Sequence, residues 1–241
     1  MTNTQAWDRV AARRGTPSLS STVQFGTDLP TEADLRLCGS VNGKRVLDVG
    51  CGAGENAVAM ALQGAHVIAI DASSAQLALG RRLAEAAETR VEWHEGDAAD
   101  LAFLRADSID LALATGVVQE IEDVDRLFRQ VHRVLRAGAA FVFSHDHPMR
   151  LALGRDDEDP GNLPLGPLEV RRSYFDGAPI VTKREGEAVQ LWPRTVADVF
   201  SALHRAGYRV DVLLEPETLR SADPGPAIPT TVLWRARKEG V

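Results

Sequence analysis

Cysteine, net positive charge and long apolar runs are all scarce in this chain of 241 residues. The two cysteines, Cys38 and Cys51, can form neither a disulfide framework nor the usual four-ligand thiolate metal site. We therefore expect a reducing compartment and a cytoplasmic protein. The apolar runs, such as residues 57–62, are far shorter than the roughly 20 residues of a membrane-spanning helix. No membrane partner is expected.

The charge balance is acidic, with 34 carboxylates against 27 lysines and arginines and a formal net charge of −7. Binding to nucleic acid depends on clusters of lysine and arginine that neutralise phosphates. The composition therefore favours a small-molecule partner over nucleic acid. We expect a monomer or a homodimer.

From residue 44 onward, short apolar runs alternate with segments of helical periodicity, which is typical of a parallel sheet covered by helices. The last strand follows a proline-rich segment, residues 215–229, that bars a helical crossover and so implies an antiparallel pairing. The pattern predicts an α/β fold with a Rossmann-like, seven-stranded mixed sheet, six strands parallel and the seventh antiparallel, and helices on both faces. Strands are predicted at residues 45–49, 66–70, 91–94, 109–114, 139–144, 209–214 and 230–237, and helices at 53–63, 74–87, 123–136 and 195–207.

The remaining segments divide the chain into three parts. Residues 1–43 are expected to form an N-terminal helical cap, with short helices at 4–14 and 31–39. Residues 44–148 and 191–241 form the core of the fold. Residues 149–190 are rich in proline and glycine, and we expect an irregular inserted segment that acts as a lid or binds substrate.

A glycine-rich turn, Asp48-Val49-Gly50-Cys51-Gly52-Ala53-Gly54, links the first core strand to its helix. Such a turn lets the backbone approach a ligand at the carboxyl edge of the sheet. A dinucleotide fingerprint would need glycine at the position of Glu55. In addition, Asp48 would repel a pyrophosphate but suits a cationic group such as a methionyl α-ammonium.

Two further acids follow strand ends. Asp71 can accept from both hydroxyls of a ribose, a feature that serves either cofactor class. Asp97 and Ala98, after the third strand, offer a carboxylate and a backbone amide to an adenine. The three sites match ammonium, ribose and adenine in order.

With these motifs, the chain resembles the class I S-adenosylmethionine-dependent methyltransferases, in particular the bacterial group that includes the ubiquinone and menaquinone biosynthesis enzymes. The resemblance covers residues 44–149 and implies methyl transfer from S-adenosylmethionine to the oxygen, nitrogen or carbon of a small acceptor. One departure is that Val117 and Val118 replace the customary histidine pair after the fourth strand. The resemblance implies that the cofactor is held by Asp48, Gly50, Cys51, Gly52, Gly54, Asp71, Ala72, Asp97, Ala98 and Thr115.

Methyl transfer from a sulfonium is an in-line displacement, so a general base is needed only when the nucleophile carries a proton. His145, at the carboxyl end of the fifth strand, is the leading candidate for that base, and His147 and Tyr174 are weaker ones. A metal held by residues 145–147 is disfavoured, because only two imidazoles would face one side, and no metal is expected. Aromatic residues of the two outer segments could line an acceptor pocket: Trp7, Phe25, Tyr174, Phe175 and Trp192.

Two other functions stay open. A non-catalytic partner subunit could retain the cofactor pocket without transferring a methyl group. A nicotinamide-dependent oxidoreductase is less favoured, because of Asp48 and Glu55.

Overall fold

The computed structural model describes residues 2–15, 17–153, 169–217, 219 and 228–240. Its strands are β1 (Arg45–Val49), β2 (His66–Asp71), β3 (Val91–Glu95), β4 (Ile109–Thr115), β5 (Leu135–Asp146), β6 (Ile180–Arg184), β7 (Glu187–Leu191), β8 (Tyr208–Leu214) and β9 (Thr231–Lys238). Its helices are α1 (Asn3–Arg13), α2 (Glu32–Leu35), α3 (Glu55–Leu62), α4 (Ser74–Ala86), α5 (Val124–Val134), α6 (Pro148–Leu153) and α7 (Val196–Arg205), and a 3₁₀ turn covers Val118–Glu120.

Seven strands form one sheet in the order β3-β2-β1-β4-β5-β9-β8. Strand β9 runs antiparallel to both of its neighbours, and the other six are parallel to one another. The predicted mixed sheet is therefore confirmed. The chain order reverses between β1 and β4, and open α/β sheets bind ligands outside the carboxyl ends of their strands at such a switch point.

Helices cover both faces of the sheet, as predicted. On one face, the apolar stripe of α5 and the inner side of α7 pack on the sheet through residues such as Phe128 and Leu203. On the other face, Met60 of α3 and Phe25, which lies between α1 and α2, pack on strands β1, β2 and β4. The sheet is thus buried in its middle, and its strand ends are left to build a site.

The expectation of an irregular segment at residues 149–190 is wrong at its two ends, whereas residues 169–179 have no helix or strand. Helix α6 begins this segment, and β6 and β7 form an antiparallel hairpin at its end. The hairpin turns at Glu185 and Gly186, whose φ angles of 48° and 82° match a tight two-residue loop. Residues 154–168 lie outside the described part of the chain.

The N-terminal cap is less helical than expected. Helix α2 spans four residues, and Arg36, with a φ of 52°, ends it well before residue 39. Residues 14–15 and 17–30 connect α1 to α2 without a helix or strand, and Thr16 lies outside the described part of the chain. The division into cap, core and insertion stays a prediction.

Candidate active site

The glycine loop after β1 lies directly against the loop after β4. A Cβ atom at Gly50 would stand 2.5 Å from the Val117 side chain, and the φ of 63° at this residue also favours glycine. Any larger residue at position 50 would push these two loops apart. The close approach brings the candidate cofactor residues of β1 next to the turn that follows β4.

Asp71, at the end of β2, holds the glycine loop in place. Its two carboxylate oxygens accept hydrogen bonds from the backbone N–H of Gly52 at 2.8 Å and of Ser73 at 2.9 Å. Burial raises the pKa of Asp71, and these hydrogen bonds act against that rise. Because a carboxylate offers about four acceptor positions, Asp71 can buttress the loop and still bind hydroxyl groups.

Asp48 is the buried acid of the loop, and it tests whether this edge fits a cationic ligand. Its Oδ2 atom is enclosed and accepts no hydrogen bond from any residue that the structure describes. Burial, with Asp71 and Glu55 nearby, raises the pKa of Asp48 to about 7. A buried carboxylate without a partner is costly, so an ammonium group would satisfy it.

The same loop leaves room for such a ligand. No atom lies within 4 Å of the place where a Cβ of Gly52 would stand. The open backbone at Gly52 and the orphaned oxygen of Asp48 together fit the methionyl end of S-adenosylmethionine.

Gly54 plays a part that the motif did not predict. A Cβ atom on Gly54 would lie 2.4 Å from the Trp93 ring, and one on Gly80 of α4 would lie 2.6 Å from it. The indole of Trp93 therefore wedges between the start of α3 and the middle of α4. At this position the missing side chain allows close packing of helices on β3.

The other predicted cofactor residues lie at the same edge of the sheet. Asp97 is exposed after β3, and its Oδ1 accepts from the Ala99 N–H at 2.8 Å, which fixes a tight turn. Thr115 ends β4, and its hydroxyl oxygen accepts from Asn56 Nδ2 at 3.2 Å.

Three predicted residues offer the cofactor little beyond backbone or shape. Ala72 is exposed directly after Asp71, and Ala98 is partly buried. Burial raises the pKa of the Cys51 thiol well above its usual value, so that side chain stays protonated.

Both ring nitrogens of His145 are engaged by buried neighbours. Trp234 Nε1–H donates to Nε2 at 3.0 Å, and Nδ1–H donates to the Asp146 carbonyl at 2.8 Å. Burial lowers the pKa of His145 to about 4. The nitrogen that would accept a proton already accepts one hydrogen bond, so the role of His145 as a base stays a prediction that its contacts do not favour.

The weaker candidates are also held by structural contacts. His147 Nδ1 accepts from the Met149 N–H at 3.1 Å, and its Nε2 donates to Glu215 Oε1 at 2.9 Å. The Tyr174 hydroxyl accepts from the N–H of Val196, the first residue of α7. The two histidines therefore lie at the end of β5, whereas Tyr174 is hydrogen-bonded to the start of α7.

Glu120 is a site residue that the sequence motifs did not single out. It ends the 3₁₀ turn after β4, and its Oε2 accepts from Trp7 Nε1 at 2.7 Å and from Asn3 Nδ2 at 3.4 Å. Burial raises the pKa of Glu120 to about 7. The available signal was an acid a few residues beyond a buried strand end, where the neighbouring positions are apolar or amide.

Helix α1 is fastened across this edge by hydrogen bonds to several elements. Asn3 exchanges two hydrogen bonds of 2.8 Å with the backbone of Gln190 in β7. Asp8 accepts from Ser73 Oγ at 2.7 Å, directly beside Asp71. Helix α1 and the β6–β7 hairpin are therefore joined to each other over the strand ends, and we call the two together the cover.

Two negative findings concern the described part of the chain. No helix there is long and apolar enough to cross a membrane. No group of three or more histidine, cysteine, aspartate or glutamate side chains in that part is arranged to hold a metal ion.

Comparison with known proteins also indicates a methyltransferase. A family model described as a methyltransferase domain matches residues 47–143, which include the glycine loop, Asp71 and Asp97. An S-adenosylmethionine dependent methyltransferase from Mesorhizobium loti shares 29% identity, with a TM-score of 0.71 over 84% of this chain and 94% of that chain. Residues 47–143 thus match a methyltransferase domain, and the chain is similar in sequence and fold to S-adenosylmethionine-dependent methyltransferases.

Curated methyltransferases match over shorter stretches. A demethylmenaquinone methyltransferase from Clavibacter sepedonicus is 30% identical over 67% of this chain and 64% of its own length. A ubiquinone biosynthesis O-methyltransferase from Pseudomonas syringae pv. tomato is 35% identical over 42% of this chain and 44% of its own length. The chain thus spans less than two thirds of the length of each of these relatives.

Proposed function

We propose that this protein transfers the methyl group of S-adenosylmethionine to a small organic acceptor. The observation that supports it most directly is the buried Asp48, whose Oδ2 has no hydrogen-bond partner among the described residues and which precedes a glycine turn with open space at Gly52. A structural turn has no need of such an acid, and a pyrophosphate would be repelled by it.

Each cofactor contact is assigned to a residue of this edge. Asp48 would hold the ammonium group, and Asp71 the ribose hydroxyls while it anchors Gly52. Asp97 and the backbone at Ala98 would receive the adenine. When bound, the cofactor supplies an electrophilic methyl group on a sulfonium, so the chain's task is to align the acceptor and exclude water.

The acceptor space is proposed under the cover formed by α1 and the β6–β7 hairpin. These elements carry Trp7 and Asn3 over Glu120, and Arg184 of β6 reaches Asp146 at the end of β5. The cover combines apolar and charged groups, as expected for a small polar metabolite rather than a polymer. Residues 149–190 thus serve as a substrate segment in this proposal.

The names of the curated relatives support an acceptor of small size. They refer to demethylmenaquinone and to ubiquinone biosynthesis, in which the methyl acceptors are small molecules. The net charge of −7 agrees with such a partner and disfavours nucleic acid.

The test is incubation of the folded protein with methyl-labelled S-adenosylmethionine and a metabolite extract, followed by mass spectrometry. We expect a labelled small-molecule product. Tight cofactor binding with no labelled product from any extract would instead support a non-catalytic partner subunit.

A further inference from the structure

The acid Glu120 has no part in the cofactor contacts assigned above, yet it lies between the cofactor edge and the cover. Its turn begins immediately after Val117, the residue that contacts the glycine loop. Among its electrostatic neighbours are Asp71 on the cofactor side and Asp146 at the end of β5. Glu120 therefore lies beneath α1, with the end of β2 on one side and the end of β5 on the other among its electrostatic neighbours.

The charged and hydrogen-bonding groups around Glu120 come from four elements, and some raise its pKa while others lower it. Trp7 of α1 donates a hydrogen bond and Arg184 of β6 contributes positive charge, and both lower its pKa. Burial is the largest effect and raises the pKa, as do Asp71 of β2 and Asp146 of β5. The result, about 7, is suited to proton transfer near neutral pH.

The two histidines at the end of β5 do not offer this chemistry in their observed contacts. The accepting nitrogen of His145 is taken by Trp234, and that of His147 by the Met149 backbone. Glu120 has two carboxylate oxygens, and its hydrogen bonds from Trp7 and Asn3 both go to Oε2. One oxygen can hold α1 through Trp7 while the carboxylate receives a proton from a ligand.

We propose that Glu120 is the general base of this methyltransferase and that the acceptor presents an acidic hydroxyl, a phenol or an enol, to it. The acceptor oxygen forms a bond to the methyl carbon as the sulfur–methyl bond breaks. The electron pair of that bond goes to sulfur, which becomes a neutral thioether, and the hydroxyl proton passes to the Glu120 carboxylate. The inference rests on the proposed function and adds its base and its acceptor class.

Acidity selects this class of acceptor. A phenol of ordinary pKa, about 10 for tyrosine, lies within reach of a carboxylate near 7, whereas an aliphatic alcohol is far weaker as an acid. A neutral amine needs no base before it attacks, so it would give Glu120 no role in the step.

Glu120→Gln is the test variant, because its amide oxygen still accepts the Trp7 hydrogen bond but cannot take up a proton. Glu122→Gln is the matched control, an identical change at an exposed residue two positions along the same segment. The probes are catechol and phenol with methyl-labelled S-adenosylmethionine. We expect wild type and Glu122→Gln to methylate at least one of them. In Glu120→Gln, kcat should fall about 100-fold or more, and the decrease of the rate at acidic pH should disappear.

A second readout does not depend on activity. In nitrogen-15-labelled protein, the Trp7 indole N–H signal, assigned with Trp7→Phe, should shift with pH with a midpoint near the pKa of Glu120, about 7. The shift should persist in Glu122→Gln and vanish in Glu120→Gln. A Trp7 signal that does not titrate in wild type would overturn the proposal.

S-adenosylhomocysteine binding, measured on the same variants, separates this inference from the proposed function. Binding within about twofold of wild type together with undiminished catechol turnover in Glu120→Gln would show that Glu120 is not the base. Tight binding without methylation of either phenol by wild type would refute the acceptor class. If folded wild type fails to bind S-adenosylhomocysteine, the proposed function itself fails.

Discussion

Asp48 shows at the scale of one residue how a binding site is kept at a cost to stability. In the absence of ligand its carboxylate is buried, lacks a partner for Oδ2 among the described residues, and has nearby Asp71 and Glu55 charges. Each of these features disfavours the ionised form, and a bound ammonium would reverse their effect.

Replacement of Asp48 by asparagine should therefore separate stability from binding. We expect Asp48→Asn to raise the melting temperature of the ligand-free protein at about pH 8 and to weaken S-adenosylhomocysteine binding tenfold or more, because hydrogen bonds to charged groups contribute about 1.5–3 kcal/mol. Asp125→Asn, which alters a partly exposed acid paired with Arg205, is the control. An unchanged affinity in Asp48→Asn would remove Asp48 from the site.

His145 is a second single residue whose role can be tested, because it could be structural or catalytic. His145→Ala would leave the buried Trp234 N–H without its acceptor, and the loss should destabilise the fold by about 1–3 kcal/mol, measured by thermal unfolding. Turnover at saturating cofactor decides the catalytic reading. A wild-type rate per folded molecule would make His145 a structural residue, and a large loss of rate would favour it as the base over Glu120.

At the scale of elements, the glycine loop is positioned by packing as much as by its own sequence. Trp93 of β3 fills the space left by Gly54 and Gly80, so that α3 and α4 are both set against the same ring. The motif alone predicted the loop but not the residue that supports it.

Gly80→Ala tests this wedge. Alanine inside a helix gains about 1 kcal/mol over glycine, but a Cβ atom 2.6 Å from the Trp93 ring forces a rearrangement that costs about 1–3 kcal/mol. We expect a net fall in melting temperature and weaker cofactor binding, because the start of α3 must move. Gly15→Ala, where no atom lies within 4 Å of the added Cβ, should change neither; a stabilised Gly80→Ala would contradict the wedge.

The core elements were predictable because their signals are local and strong. The apolar runs of β1 and β4 and the stripe of α5 follow directly from burial on a sheet with helices on both faces. The β6–β7 hairpin was not predicted, since its turn has Glu185 where asparagine, aspartate or glycine is usual.

The site was predictable to the same degree. Acids at strand ends, such as Asp48 and Asp71, are visible in sequence, because strand ends are. The contact of Glu120 with Trp7 joins residues more than 100 positions apart and depends on how α1 lies over the sheet. No local pattern carries that information.

At the scale of the whole molecule, buried ionisable groups govern the pH dependence of stability. Burial raises the pKa of Asp48 and of Glu120 to about 7, so their stabilising effect is present at low pH and is lost as pH rises through about 7. Burial lowers the pKa of His145 to about 4, so its contribution is complete above 6.5 and is lost as pH falls toward 4. Above 6.5 the contribution of His145 is constant, so the raised pKa values of Asp48 and Glu120 set the direction of the change near pH 7.

The ligand-free protein should therefore lose melting temperature between about pH 6.5 and pH 8, as scanned by calorimetry in buffers of equal ionic strength. The combined variant Asp48→Asn, Glu120→Gln should flatten this region of the curve. A melting temperature that rises across the same interval in wild type would contradict the assignment of these two acids.

The central claim is that this chain binds S-adenosylmethionine through the glycine loop and Asp48, and calorimetric titration of folded wild type with S-adenosylhomocysteine tests it most directly. We expect saturable one-to-one binding at about pH 8 that weakens below pH 7, as protons compete for Asp48. Absence of binding to well-folded protein at any pH would contradict the account.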